Sequence, residues 1–326
     1  MTQGGISMRW VFHLASLSII LILVLALSCS PPPPPAEPYL LAVRVETQDT
    51  AQLMLLNEKS EIVAKLPSGS TSPSFSPYGE LYYASPTVFG NTEKFQIYRL
   101  DLDTKETVRL SDGTSNDESP VSSPNAQIIA FVSHPVPVRT VKEADWMINL
   151  VDEDGKNRRL LDPGGPISQY EPCWSPDGTK LVFVHRSTLQ QAEQDKFMRS
   201  TLKVYDFADQ TVKDVLPRDY LVAYPRWSPK GDLIAFTFLE KDKGGSIWVV
   251  RPDGTGAQRL TDGHDDNQPS WTPDGKSLLF SRVQEKKRVI CELDLATLKV
   301  KTILDRIPGF DEKNEEIILE FPRLYR

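Results

Sequence analysis

PCWSPDGTKLVF, residues 172–183, is the stretch on which the fold turns. Its opening Pro-Cys-Trp-Ser suits a short β-strand, since proline in a strand's first position removes no ladder hydrogen bond. Ser-Pro-Asp-Gly then reads as a tight turn. Proline presets φ, aspartate bonds to nearby backbone, and glycine takes the position hostile to side chains. The apolar run Leu181 to Val184 follows as a second strand. The same order recurs as PSFSPYGELYYA from Pro73, PVSSPNAQIIAF from Pro120, PRWSPKGDLIAF from Pro225 and PSWTPDGKSLLF from Pro269. Copies stand 44–53 residues apart, the period of propeller blades.

Trp174, Trp227 and Trp271, with Phe75 in the same role, are expected to pack between neighbouring blades; Ser122 replaces the aromatic in the second copy and predicts a weaker contact there. After each motif come two more alternating runs, such as Phe95 to Leu100 then Thr107 to Leu110, and Ile247 to Val250 then Gln258 to Thr261. Each repeat is therefore expected to supply four antiparallel strands. Tyr39 to Val45 reads as a second strand lacking a first. At the other end Pro322-Arg323-Leu324-Tyr325 matches Pro225-Arg226-Trp227-Ser228. One blade built from both termini closes the ring and leaves no open edge. The expected fold is all-β, a six-bladed β-propeller of four-stranded antiparallel blades. A β-sandwich also has many short strands, but it demands neither this period nor complementary half-repeats. Arg186 to Ser200 is a polar insertion, expected to protrude from the rim as a short helix.

Composition narrows the function. The 326 residues are 40% apolar and 25% charged, with a net charge of −7, globular values. No Lys/Arg block stands out, which argues against nucleic acid as a partner. Cys29, Cys173 and Cys291 are too few and too scattered for a disulfide framework or a cysteine zinc site. Cys173 and Cys291, in different blades, are expected to be buried and unpaired.

Arg9 precedes an apolar stretch from Trp10 to Leu27, followed by Ser28-Cys29-Ser30 and the run Pro31 to Pro35. A basic residue, an apolar core and small residues before a break form an export signal. Leu25-Ala26-Leu27-Ser28-Cys29 looks like a bacterial lipobox, making Cys29 the expected lipidation site. An ordinary signal-peptidase site after Ser28 and an uncleaved anchor are the alternatives, since the run approaches the ~20 residues that span a bilayer. The expected organisation is a signal over 1–28, a stiff proline tether over 29–38, and the propeller over 39–326. By resemblance to lipoproteins, Ser30 favours the outer membrane of a host that has one.

The motif Pro-x-Trp-Ser-Pro-Asp-Gly followed by an apolar strand resembles the repeat of TolB-like propellers, related in pattern to WD repeats. The likeness covers Tyr39 to Arg326. It is specific for fold and less so for function, because such blades occur in periplasmic scaffolds, in gating domains of serine oligopeptidases and in some sugar lyases. TolB itself carries an α/β domain before its propeller, whereas this propeller is expected to start about ten residues after Cys29. The resemblance thus implies a stand-alone, monomeric envelope lipoprotein that binds a protein or glycan.

Catalytic readings are poorly supported by the residues. No Gly-x-Ser-x-Gly elbow occurs. A metal-dependent lyase or lactonase-like enzyme acting on a carbohydrate needs a histidine cluster in the pore, and only His134, His185 and His264 follow the signal. The segments before each first strand, expected as loops at one channel mouth, are more informative. They carry Asn116, Asp117 and Glu118; Gln169, Tyr170 and Glu171; Tyr224; and Asp265, Asp266, Asn267 and Gln268. Such oxygen-rich residues suit gripping a partner. They also suit Ca²⁺, although no EF-hand spacing is present, so no cofactor is expected. The function expected from all this is a lipid-anchored envelope scaffold without a catalytic constellation.

Overall fold

The structure, a computed structural model, describes residues 40–47, 50–135, 146–161, 168–186, 199–216, 220–240, 243–307 and 318–325. The export signal, Cys29 and the proline tether lie outside the described residues, as does most of the Arg186–Ser200 insertion.

Six four-stranded blades follow one another. The first is β1 (Leu40–Glu46), β2 (Ala51–Leu56) and β3 (Ile62–Ser68), completed by β24 (Ile318–Tyr325), which pairs antiparallel with β1. The second holds β4 (Thr71–Phe75), β5 (Glu80–Phe89), β6 (Thr92–Asp101) and β7 (Thr107–Arg109). The third holds β8 (Ser115–Ser122), β9 (Ile128–Pro135), β10 (Met147–Asp152) and β11 (Arg159–Leu160). The fourth holds β12 (Ser168–Trp174), β13 (Lys180–Arg186), β14 (Ser200–Asp206) and β15 (Thr211–Asp214). The fifth holds β16 (Val222–Trp227), β17 (Ile234–Glu240), β18 (Gly244–Val250) and β19 (Gln258–Arg259). The sixth holds β20 (Asn267–Trp271), β21 (Ser277–Gln284), β22 (Lys287–Asp294) and β23 (Val300–Leu304). First strands of consecutive blades touch in a closed ring, β24 contacting both β20 and β4. The split blade that the half-repeats require is the one that closes it.

Every blade is covered on both faces, so its strands are apolar on both sides. Alternate residues of one strand serve opposite neighbours. Leu181 and Phe183 pack with Ala130, Ile148 and Trp174 against the third blade, while Val182 and Val184 join Trp227 and Phe236 of the fifth. Six buried clusters among the described residues correspond to the six blade interfaces. Trp174, Trp227, Trp271 and Phe75 each sit in one of them. The Trp174 indole donates to Val121 O at 3.2 Å and that of Trp271 to Arg226 O at 2.9 Å, tying each blade to its predecessor. The turn glycines seal the same joints. Gly178, Gly231 and Gly275 have φ of +70°, +75° and +66°, and each faces the turn proline of the preceding blade, Pro124, Pro176 and Pro229.

One expectation is revised. The segments read as mouth loops are the leading halves of the first strands: Ser115–Glu118 belongs to β8, Ser168–Glu171 to β12, Val222–Tyr224 to β16 and Asn267–Gln268 to β20. The motif proline lies inside the strand rather than at its start. A β-bulge makes this possible, because pairing breaks across the proline in every first strand, for example between Glu118 and Val121 and between Tyr170 and Cys173. The residue before the proline carries the distortion. Ser72, Ser119, Glu171, Tyr224 and Gln268 all have φ between 53° and 60°, a left-handed conformation uncommon for side-chain-bearing residues. In β24 the register likewise shifts, opposite Ala42 and Arg44.

Candidate binding site in the central channel

The bulges turn the first strands toward a cavity of about 570 Å³, within the range of ligand pockets. Its wall includes Ser72, Ser119, Glu171 and Tyr224, together with Glu118, Tyr170, Cys173, Arg226 and Arg323. Phe75, Trp174 and several motif prolines add apolar surface. A second cavity of about 480 Å³ shares Phe75, Trp174, Arg226 and Pro229 with the first and is rimmed by Trp227, Trp271 and Pro273 at the turn end.

The expected site residues divide into two sets. The position three residues before each proline is fully buried in all five complete blades: Ser70, Asp117, Gln169, Val222 and Asp266. Asp117 meets Arg158 at 3.3 Å and accepts from the Ser115 hydroxyl. Asp266 is held by two bonds from Arg282. Gln169 accepts from Ile148 N of the preceding blade at 2.9 Å. Asp265 accepts from Arg288 at 2.6 Å and from Gly245 N, Asn267 donates to Asp265, and Gln268 N bonds to Thr237. Asn116 accepts from Phe95 N of the second blade. These groups join strands and blades, and none lines the central cavity. Glu118, Tyr170, Glu171 and Tyr224 do line it.

Electrostatics distinguish the cavity further. Glu171 accepts from Tyr224 N of the next blade. Burial nevertheless pushes its carboxyl above the usual range, against the pull of that amide and of Arg226, Arg186 and Arg323. Glu118 is also pushed up, first by burial and then by the Asp117 charge. Arg323, 8% exposed, is pulled well below the ordinary guanidinium value by burial and by the like charge of Arg226. Arg186 lies over the Tyr170 ring, 4.7 Å from its centroid, and Tyr170 continues a tilted series through Trp146 to His134.

Arg226, Arg323 and Cys173 occupy one repeat position, the x of Pro-x-aromatic, and the sequence reading passed over it. The match of Pro322-Arg323 to Pro225-Arg226 held the available signal. Cys173 is unpaired as expected but faces the cavity in part rather than being buried, and Cys291 is buried and unpaired. His134 sits opposite Asn116 and His185 opposite Gln169, one repeat position apart, whereas His264 lines a separate cavity beside Arg282. Among the described residues, no three His, Cys, Asp or Glu side chains gather closely enough to hold a metal ion.

Comparison with known proteins fits this architecture. The family profile described as TolB beta propeller domain matches residues 136–304. The Protein TolB homolog of Chlorobium luteolum is 35% identical over 143 residues, covering 41% of this chain and 30% of that protein. The chain matches about a third of the length of the curated relatives it resembles. TolB from Acinetobacter baumannii superposes with a TM-score of 0.69 at 17% identity over 95% of this chain and 71% of that one. An oligogalacturonate lyase in complex with manganese gives 0.51 at 16% identity, over 80% and 72% of the two chains; likeness at such identity concerns the fold alone. The profile match, together with six blades closed by both ends of the chain, places this protein in the TolB beta propeller domain family.

Proposed function

We propose that this chain is a binding scaffold of the cell envelope, exported and lipid-anchored through Cys29, which holds a protein or glycan partner at its central channel. The observation that supports this most is the cavity itself. Four of the left-handed bulges, at Ser72, Ser119, Glu171 and Tyr224, each a strained and energetically unfavourable backbone state, stand with Arg323 of the closing strand around one accessible volume. Strain of this kind concentrates at ligand clamps. Its lining combines aromatic and proline rings with a few charged groups, the mixture typical of recognition sites.

The test uses the whole chain, solubilised in detergent and immobilised, with an envelope extract of its host. A partner retained by the parent and lost from a folded Tyr170→Ala/Tyr224→Ala variant supports the channel. Equal retention by both moves the site elsewhere, and retention of nothing by the parent contradicts the scaffold reading. Labelling with a radioactive fatty acid tests the anchor: incorporation should vanish in Cys29→Ser.

A further inference from the structure

Glu171 faces more positive charge than it can neutralise. Three guanidinium groups act on this single carboxylate, those of Arg226, Arg186 and Arg323. Two of them, Arg226 and Arg323, line the cavity wall with it. With Glu118 also on the wall, and Arg186 acting from beyond it, three guanidinium groups stand against two carboxyl groups. The acidic residues three positions before their motif prolines, Asp117 and Asp266, are fully buried and committed to Arg158 and Arg282.

We infer that the channel recognises a carboxylate carried by a peptide segment, an acidic side chain or a chain terminus, flanked by apolar residues. This rests on the channel being the binding site. A guanidinium offers a planar pair of donors that matches a carboxylate and discriminates it from an amide. The buried Nε of Arg186, whose guanidinium lies over the cavity-lining Tyr170 ring, has no hydrogen-bond partner among the described residues. The Phe75 and Trp174 rings and the prolines at positions 73, 120 and 172 provide the apolar surface that residues beside the carboxylate would cover. The lowered guanidinium of Arg323 agrees, since a bound anion would relieve the repulsion between Arg226 and Arg323.

The probes are three fluorescein-labelled octapeptide pools of common apolar composition, amidated at the C-terminus, with glutamate, glutamine or lysine at the fourth position. Anisotropy with the full-length chain in detergent measures binding at low and high salt. The glutamate pool is expected to bind at least about tenfold more tightly than the glutamine pool, the worth of one charge-assisted hydrogen bond, and to weaken with salt. Arg226→Gln should erase the preference while leaving the circular dichroism and melting temperature near the parent's. Arg323 is too buried for a clean substitution, so Arg226→Lys serves as the second variant and should retain charge but lose most of the preference. Equal binding of the glutamate and glutamine pools, or preference for lysine, overturns the inference. Tight binding of a uronic-acid oligosaccharide with no peptide bound reassigns the cavity to an acidic glycan and also overturns it. A partner that crosslinks from the channel but shows no dependence on Arg226 sinks the carboxylate alone; absence of both peptide binding and channel crosslinks sinks the channel reading with it.

Discussion

Arg282 grips Asp266 through two parallel hydrogen bonds, Nε to Oδ1 at 2.7 Å and Nη2 to Oδ2 at 2.8 Å, with the carboxylate fully buried and the guanidinium 12% exposed. It ties the residue just before β20 to β21. Removing one partner of such a pair leaves an uncompensated buried charge, typically a loss of about 3–5 kcal/mol. Asp266→Ala should fall in that range by urea denaturation. The exposed pair Lys156–Asp154, at 2.7 Å with side chains 77% and 50% exposed, is the contrast, and Lys156→Ala should leave the denaturation midpoint nearly unchanged.

The interface tryptophans provide an internal comparison. Trp271 donates to Arg226 O, whereas the buried Trp227 indole N–H has no partner among the described residues. Replacement by phenylalanine removes similar apolar volume at both sites. Trp271→Phe also strands a carbonyl, while Trp227→Phe deletes an unsatisfied donor. Trp271→Phe should therefore be the more destabilising by about 1–2 kcal/mol, measured by the same denaturation.

Backbone strain at the bulges is testable at Ser119, where φ is 54°. Ser119→Gly should change stability little, because glycine removes the strain but adds freedom to the unfolded chain. Ser119→Val places a β-branched side chain in the same left-handed state and should cost about 1–3 kcal/mol. Equal effects of the two substitutions would mean that the bulge is not held in this conformation.

Glu118 makes folding sensitive to pH in an unusual direction. Its carboxyl is raised in the folded chain, so the folded state keeps its proton while the unfolded state gives it up. Its unfavourable effect is absent in acid, where both states are protonated, and develops as pH climbs from the ordinary carboxylate value through the raised one. Glu118→Gln should raise the melting temperature at pH 7 and leave it nearly unchanged at pH 3.5, as read by calorimetry.

The repeat, the split blade and the interface aromatics were legible because each rests on a strong local signal. Prolines recur at a blade period, a Ser-Pro-Asp-Gly turn has its own chemistry, and the two chain ends supply complementary strands. The bulges were hidden. Ser72, Ser119, Glu171, Tyr224 and Gln268 share a conformation but no chemistry, so nothing in their side chains announces it. The channel lining was half legible for a related reason. Asp117 and Glu118 are adjacent and equally acidic, yet neighbours along a strand point to opposite sides, and only Glu118 reaches the cavity. Composition shows an acidic segment; burial decides which acid Arg158 consumes.

The central claim, a partner held in the channel, is tested most directly by photocrosslinking in living cells of the host. A photoreactive phenylalanine analogue at Tyr224, on the cavity wall, is compared with one at Val63, 50% exposed on β3. The account predicts a discrete adduct from Tyr224 that is missing from Val63. An adduct from Val63 with none from Tyr224 would contradict it.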